Sequence, residues 1–243
     1  PQFYTTDSGL PNHTIYKPKN LAAVNGTMPL LVWGNGACSA DGLSHQNFNI
    51  EIASYGIIVI ASGSPKQSGS TTSRHMTDAI DYVQKQAGKG DYSKINMTKI
   101  AAAGMSCGGV EAYEVIGDSR VKALGIFNSG QMSQDGTNKV VPGIKKPIFF
   151  FLGGSSDIAY NNGMRDFAAV SSGVPTWVGN YKNVGHGGTY GDVNGGTFGK
   201  AAQQYFRWIL KGETSTANYF TGNGAKNDGW TTQAKSLDNL VPV

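Results

Sequence analysis

The chain has 243 residues, with 20 Lys and Arg against 16 Asp and Glu, for a formal net charge of +4. That length allows one sizeable α/β domain whose core needs no external staples, so a single domain over residues 1–243 is expected. The basic residues are scattered, which argues against nucleic acid, and no apolar run approaches the roughly 20 residues that cross a bilayer; a soluble monomer with neither nucleic-acid nor membrane partners is expected.

Pro1 to Pro11 has little periodicity, and His13 to Tyr16 reads as a first strand that closes before Pro18. Asn20 to Pro29 predicts an exposed turn. Leu30-Leu31-Val32-Trp33 is a fully apolar run, hence a buried strand, and it stops at the glycine-rich loop Gly34 to Gly42. His45 to Tyr55 fits a helix with Phe48, Ile52 and Tyr55 inward, capped by Gly56 before the strand Ile57 to Ala61. The polar stretch Ser62 to Ser73 is a loop, and Met76 to Ala87 is an amphipathic helix with Met76, Ile80 and Val83 on one face. Ile100 to Ala103 reads as a buried parallel strand, followed by Val110, Tyr113 and Ile116 at helical spacing.

Val121 to Phe127 and Pro147 to Leu152 are further buried strands, ending in Asn128-Ser129-Gly130 and Gly153-Gly154-Ser155-Ser156-Asp157. Met164 to Ala169 opens another helix. Pro175 to Tyr181 alternates as a strand, interrupted by Asn183-Val184-Gly185-His186-Gly187-Gly188, and Gly199 to Leu210 is a closing helix that buries Ala202, Tyr205, Phe206 and Ile209. Strands alternating with helical segments from 30 to 210 predict a mostly parallel sheet covered on both faces.

Gly104-Met-Ser106-Cys-Gly108 has the Gly-x-Ser-x-Gly spelling of a nucleophile elbow. In a chain with 34 glycines the spelling alone says little; its place between a strand and a helix is the context the motif requires. Serine becomes a useful nucleophile only when a base takes its proton and a carboxylate orients that base. Of the four histidines, His13, His45 and His75 precede Ser106, which leaves His186 in the chain order Ser, acid, His. Asp157 is the preferred acid because it follows a buried strand at the end where open α/β sheets place their ligands. Asp166, inside a predicted helix, and Asp192, in a polar turn, are its competitors. The turn around Asp192 could equally be a weak cation site, but a single carboxylate and a few carbonyls are too few ligands to point to a metal, and no cofactor is expected.

The oxyanion hole needs two donors. One is expected from the N–H of Cys107, the residue after the nucleophile, and the other from the loop Asn35 to Ala37, so both cysteines of the chain fall at this hole. A Cys38–Cys107 disulfide would pre-set both donors; two buried free thiols are the alternative, and a free Cys107 is a rival nucleophile. Trp33, Gln131, Met132 and Tyr190 are candidate substrate-wall residues. The sequons at Asn12, Asn25 and Asn96, on a surface rich in Gly, Ser, Thr and Asn, suggest a secreted glycoprotein, and the start at Pro1 reads as a processed form.

Gly-Met-Ser-Cys-Gly-Gly, Gly-Gly-Ser-Ser-Asp-Ile-Ala, Val-Gly-His-Gly and Tyr-Phe-Arg-Trp-Ile-Leu-Lys-Gly-Glu resemble the compact α/β-hydrolases of the dienelactone-hydrolase, chlorophyllase and cutinase or PET-hydrolase group, over about residues 13 to 222. The chain also looks like fungal secreted members of that superfamily. The resemblance implies Ser106 as nucleophile, Asp157 as acid, His186 as base and Asn35 as the first choice for the second oxyanion donor. It implies an α/β-hydrolase fold and a serine esterase, cutinase-like or polyester-type, acting on carboxylic esters; no insertion is long enough to be a lid, so an open site that accepts groups on large or polymeric substrates is expected. The chain departs from the polyester hydrolases in its longer oxyanion loop with Cys38, in Cys107, and in lacking their C-terminal cysteine pair. A carbohydrate esterase that removes acetyl or feruloyl groups from plant cell-wall polymer, and a non-catalytic binding protein on the same scaffold, are the competing expectations.

Overall fold

The computed structural model describes residues 4–243; Pro1 to Phe3 of the aperiodic opening lie outside the described residues. Nine strands form one sheet: β1 (Tyr4–Thr5), β2 (His13–Tyr16), β3 (Met28–Gly34), β4 (Ile58–Ser62), β5 (Ile95–Met105), β6 (Val121–Phe127), β7 (Ile148–Leu152), β8 (Thr176–Tyr181) and β9 (Trp230–Lys235). Their spatial order is β1-β2-β4-β3-β5-β6-β7-β8-β9. β3 to β8 run parallel, while β1, β2 and β9 pair antiparallel at the two margins. The helices are α1 (Gln46–Ser54), α2 (Arg74–Gln86), α3 (Cys107–Glu114), α4 (Gln134–Val140), α5 (Tyr160–Ala169), α6 (Gly196–Lys211) and two short ones, α7 (Asn218–Thr221) and α8 (Gly224–Asn227).

Alternation along the strands sorts the core into two layers of different chemistry. Leu31, Trp33, Phe127, Phe149 and Phe151 point to one face, where Phe48 and Ile52 of α1 and Phe198, Tyr205 and Phe206 of α6 meet them. Leu30, Val32, Ile58, Ile60 and Ile100 point to the other, against Met76, Ile80 and Val83 of α2 and Tyr113 of α3. The first layer is aromatic, with Phe127 stacked on Phe151 at 4.3 Å and Phe149 on Tyr205 at 4.1 Å; the second is mostly aliphatic, with Phe150, Phe167, Tyr92 and Tyr113 among it. Each such side chain contributes about 1.5–3 kcal/mol on burial, so the sheet is clamped from both sides.

Several predicted bounds shift. β5 starts at Ile95, so Ile100–Ala103 is only its fully buried inner part, and Met164–Ala169 is the second half of α5. Tyr55 lies at the end of α1 outside the core, half-buried with the Arg207 guanidinium over its ring at 4.5 Å. Pro29 belongs to β3 rather than to a turn, at a register shift between Met28 and Leu30, where a residue without an N–H is tolerated. α4 and β9 have no counterpart in the predicted elements. α4 buries only Thr137, and β9 presents one buried residue, Trp230, on an edge strand, so neither carries an apolar period.

Because the central strands are parallel, their C-terminal ends share one edge. Asn35, Ser106, Asn128, Gly153 and Lys182 each follow directly on a strand there, the position at which α/β sheets assemble ligand sites.

Candidate active site

Ser106 sits between β5 and α3 at φ 54° and ψ −118°, a conformation L side chains rarely adopt. Its backbone is pinned on both sides: its N–H donates to Phe127 O at 2.9 Å, and its carbonyl accepts Ser129 Oγ at 2.6 Å. The flanking glycines are steric requirements. A Cβ at 104 would lie 2.2 Å from Gly108 O, and one at 108 would lie 2.1 Å from the Gly34 carbonyl. Strand and helix therefore pass closer than any side chain permits, and the turn between them lifts the half-buried Ser106 hydroxyl to the sheet edge.

His186 and Asp157 come from the loops after β8 and β7. His186 Nε2 is 2.9 Å from Ser106 Oγ, and its Nδ1 is 2.7 Å from Asp157 Oδ1. A carboxylate only accepts, so Nδ1 carries the proton and Nε2 is left to accept from the serine. The carboxylate is fully satisfied. Oδ1 also accepts the Ala159 N–H at 2.9 Å, while Oδ2 accepts the Gly153 N–H at 3.0 Å and Asn128 Nδ2 at 2.8 Å. The two loops are fastened together by Gly185 N–H to Gly153 O at 2.8 Å and by Ser156 N–H to Asn183 Oδ1 at 2.9 Å. The competing acids stand elsewhere. Asp166 is buried in a separate set with Tyr113 Oη, Gln131 N and Thr137 Oγ1 at 2.6–2.7 Å, and Asp192 is exposed in its turn.

The Gly-rich loop after β3 turns as a short 3-10 segment, Gly36–Cys38, with Ala37 at φ 55° and Cys38 at φ 47°. Two consecutive non-glycine residues at positive φ need external support. Three supports are present. Asn35 Nδ2 donates to the carbonyls of Ser39, Asp41 and Ser62 at 2.8, 3.2 and 2.7 Å. Thr71 N–H donates to Cys38 O at 2.8 Å, with the Thr71 hydroxyl 2.8 Å from Glu111 Oε1 of α3. Finally, Cys38 is disulfide-bonded to Cys107, with Cα atoms 5.1 Å apart. Glu111 is buried, which pushes its carboxyl above the usual range. With Cys107 in a disulfide, it has no thiolate to act as the rival nucleophile.

A cleft of about 350 Å³ opens over Ser106 and His186, lined also by Cys107, Val110, Met132, Ile158, Ala159 and Asn162. Cys107 begins α3, so its N–H has no acceptor within the helix, and the residue lines the cleft. Asn35 is buried behind that point, its backbone nitrogen against Gly108.

Of the four substrate-wall candidates only Met132 lines the cleft. Trp33 is fully buried on the aromatic face, edge-on to Phe127 at 5.4 Å, with its Nε1–H donating to His45 Nδ1 at 3.4 Å. Its position in β3 directs it below the sheet edge rather than over it. Tyr190 is also buried, between Phe48 and Phe198, with its hydroxyl on Asn128 Oδ1. Gln131 is half-buried outside the cleft, its N–H held by Asp166 and its carbonyl by Arg165. Sequence reasoning missed Ile158, Val110, Asn162 and Asn128 among the residues lining the cleft, and Thr71 and Glu111, which brace the loop after β3. Ile158 had a signal, standing next to the preferred acid; the others had none short of the fold.

Comparison of the chain with protein-family models gives no match, and comparison with curated proteins gives none.

Proposed function

We propose that this chain is a serine esterase of α/β-hydrolase fold without a lid, secreted, and acting on carboxylic esters with an apolar acyl or aryl group, as a cutinase-like or polyester-type enzyme does. The observation that carries the reading is the continuous hydrogen-bonded row Ser106 Oγ, His186 Nε2, His186 Nδ1, Asp157 Oδ1, at 2.9 and 2.7 Å, on a strained elbow open to a cleft. The motif resemblance to compact α/β-hydrolases, carried by the segments around the same three residues, supports it as well.

In this reading Ser106 Oγ attacks the ester carbonyl carbon and passes its proton to His186 Nε2. Asp157, locked by four donors, stabilises the imidazolium and fixes its ring. The Cys107 N–H and one from the Asn35 to Ala37 segment, Asn35 first among them, hold the oxyanion. Collapse of the tetrahedral adduct expels the alcohol, which takes the proton from His186 and leaves an acyl-serine. Water then attacks with His186 as base, the acid departs, and Ser106 recovers its proton.

The cleft lining speaks to the acyl group. Met132 and Ile158, 77% and 80% exposed, line it together with Val110 and Ala159, and His186 is its one ionisable side chain among the described lining residues. A neutral, apolar group is what such walls bind best. The disulfide and the exposed sequon residues Asn12 and Asn25 fit an extracellular setting; Asn96 is half-buried in β5, with its Oδ1 accepting from Thr98.

Release of p-nitrophenol from acetate, butyrate, hexanoate and longer esters tests the proposal. Turnover that rises from acetate to butyrate or hexanoate supports it. A preference for acetate alone, together with release of acetate from acetylated cell-wall polysaccharide, would move the assignment to a carbohydrate esterase, and no turnover of any ester would sink it.

A further inference from the structure

Asn128 stands directly after β6 at φ 44°, fully buried, and every polar atom of its amide is engaged. Nδ2 donates to Asp157 Oδ2 at 2.8 Å and to Gly185 O at 3.3 Å, while Oδ1 accepts the Tyr190 hydroxyl. One amide thus spans the acid, the residue before His186 and, through its own backbone N–H to Phe151 O at 2.7 Å, the strand that carries the acid loop.

We infer that Asn128 and Tyr190 form a positioning pair for the catalytic row: Asn128 holds Asp157 and the His186 loop in register, and Tyr190 fixes which end of the amide faces the carboxylate. This rests on the triad reading and assigns a task to Tyr190 different from substrate contact. The logic is one of donors and acceptors. An amide turned around would present Oδ1 to a carboxylate, two acceptors face to face. A hydroxyl that donates to Oδ1 removes that alternative. Burial raises the Tyr190 phenol well above its ordinary range, so it stays a donor across the working pH.

The amide also sets charge. Each N–H on Asp157 disperses its negative charge; removing the Asn128 donor concentrates that charge and favours the His186 imidazolium. The titratable groups facing Asn128 are Asp157, His186 and Tyr190, with the neutral His45 ring behind Tyr190 at 5.0 Å. No lysine, arginine, aspartate or glutamate is among the described residues lining the cleft.

The test is the pH profile of ester hydrolysis by wild type, Asn128→Gly, Asn128→Asp and Tyr190→Phe. Glycine keeps the positive φ and removes only the amide. Asparagine and aspartate both tolerate that φ, so Asn128→Asp keeps backbone and shape while replacing the donor by an ionisable group. For Asn128→Gly, kcat is expected to fall about 10- to 100-fold with KM unchanged, and the acid limb of kcat/KM to move to higher pH. Tyr190→Phe should reproduce a smaller part of both changes. In Asn128→Asp the two adjacent carboxyls share a proton, and the shared proton substitutes for the amide hydrogen. Activity should therefore recover relative to Asn128→Gly at low pH and fall along a new descending limb as that proton leaves. Wild-type kcat and wild-type limbs in Asn128→Gly and Asn128→Asp would overturn the proposal, even if thermal stability dropped. If wild-type turnover itself does not depend on Ser106, the triad reading falls first and takes this one with it.

Discussion

The elbow shows how little freedom single residues have at this site. Gly108 is the tighter of the two elbow glycines: a Cβ there would sit 2.1 Å from Gly34 backbone atoms and 2.6 Å from Asn35 N. The obstacle is backbone on both sides, so no rotamer change relieves it. Gly108→Ala should push α3 away from β3, cost about 3 kcal/mol or more, and remove the alignment of the Cys107 N–H with the Asn35 loop. Urea denaturation and turnover measure the two effects together; a variant of wild-type stability and wild-type kcat would show that the close approach is not required. That Ser106, Asp157 and His186 come together was legible from spelling, chain order and strand ends, signals written along the chain that need no knowledge of which strands are neighbours. Asn128 and Tyr190 were not, since their roles depend on three strand ends meeting at one edge. Trp33 and Tyr190 misled for a related reason: standing next to the oxyanion loop or just after the histidine in sequence does not say which way a ring turns, and both turn into the aromatic layer.

At the scale of elements, the strands and helices that carry an apolar period, such as β3, β4, β6, α2 and α6, were readable, whereas α4 and β9 are held by their neighbours and carry no pattern of their own. The 3-10 turn Gly36–Cys38 is the element most dependent on a covalent tie. The disulfide closes a loop with sequence separation 69, for which the chain-entropy relation gives about 4 kcal/mol. Replacing both cysteines by alanine should therefore lower unfolding free energy by about that amount. Loss of the tie also frees two residues held at positive φ, Ala37 and Cys38, beside the Cys107 N–H. We expect kcat for a p-nitrophenyl ester to drop about 10- to 100-fold, with KM little changed, because the donors act on the oxyanion rather than on the bound ester. A double variant that loses stability but keeps kcat would separate the disulfide from catalysis.

Across the whole molecule, two buried histidines link folding to pH. His13 donates from Nε2 to His75 O at 2.7 Å, and His45 accepts from the Trp33 indole at 3.4 Å. Burial holds both pKa values down to about 4, from 6.5. The unfolded chain thus binds more protons than the native one between those values, and stability must rise with pH there. The contribution is complete above pH 6.5, declines as pH falls, and is gone below about 4; each histidine supplies on the order of 3 kcal/mol. Urea midpoints at pH 4.5 should lie well below those at pH 7, and His45→Gln should reduce the difference. Equal midpoints at the two pH values would show that these rings are protonated in the native protein.

If Ser106 is a nucleophile made reactive by His186, covalent capture detects it without any choice of substrate. Incubation with a p-nitrophenyl alkylphosphonate, followed by intact-mass and peptide analysis, should give one adduct per chain on the peptide containing Ser106. It should form no adduct in Ser106→Ala, and in His186→Ala only about 10³-fold or more slowly. An unmodified wild-type protein, or an adduct on another residue while Ser106 stays free, would show that Ser106 is not the nucleophile.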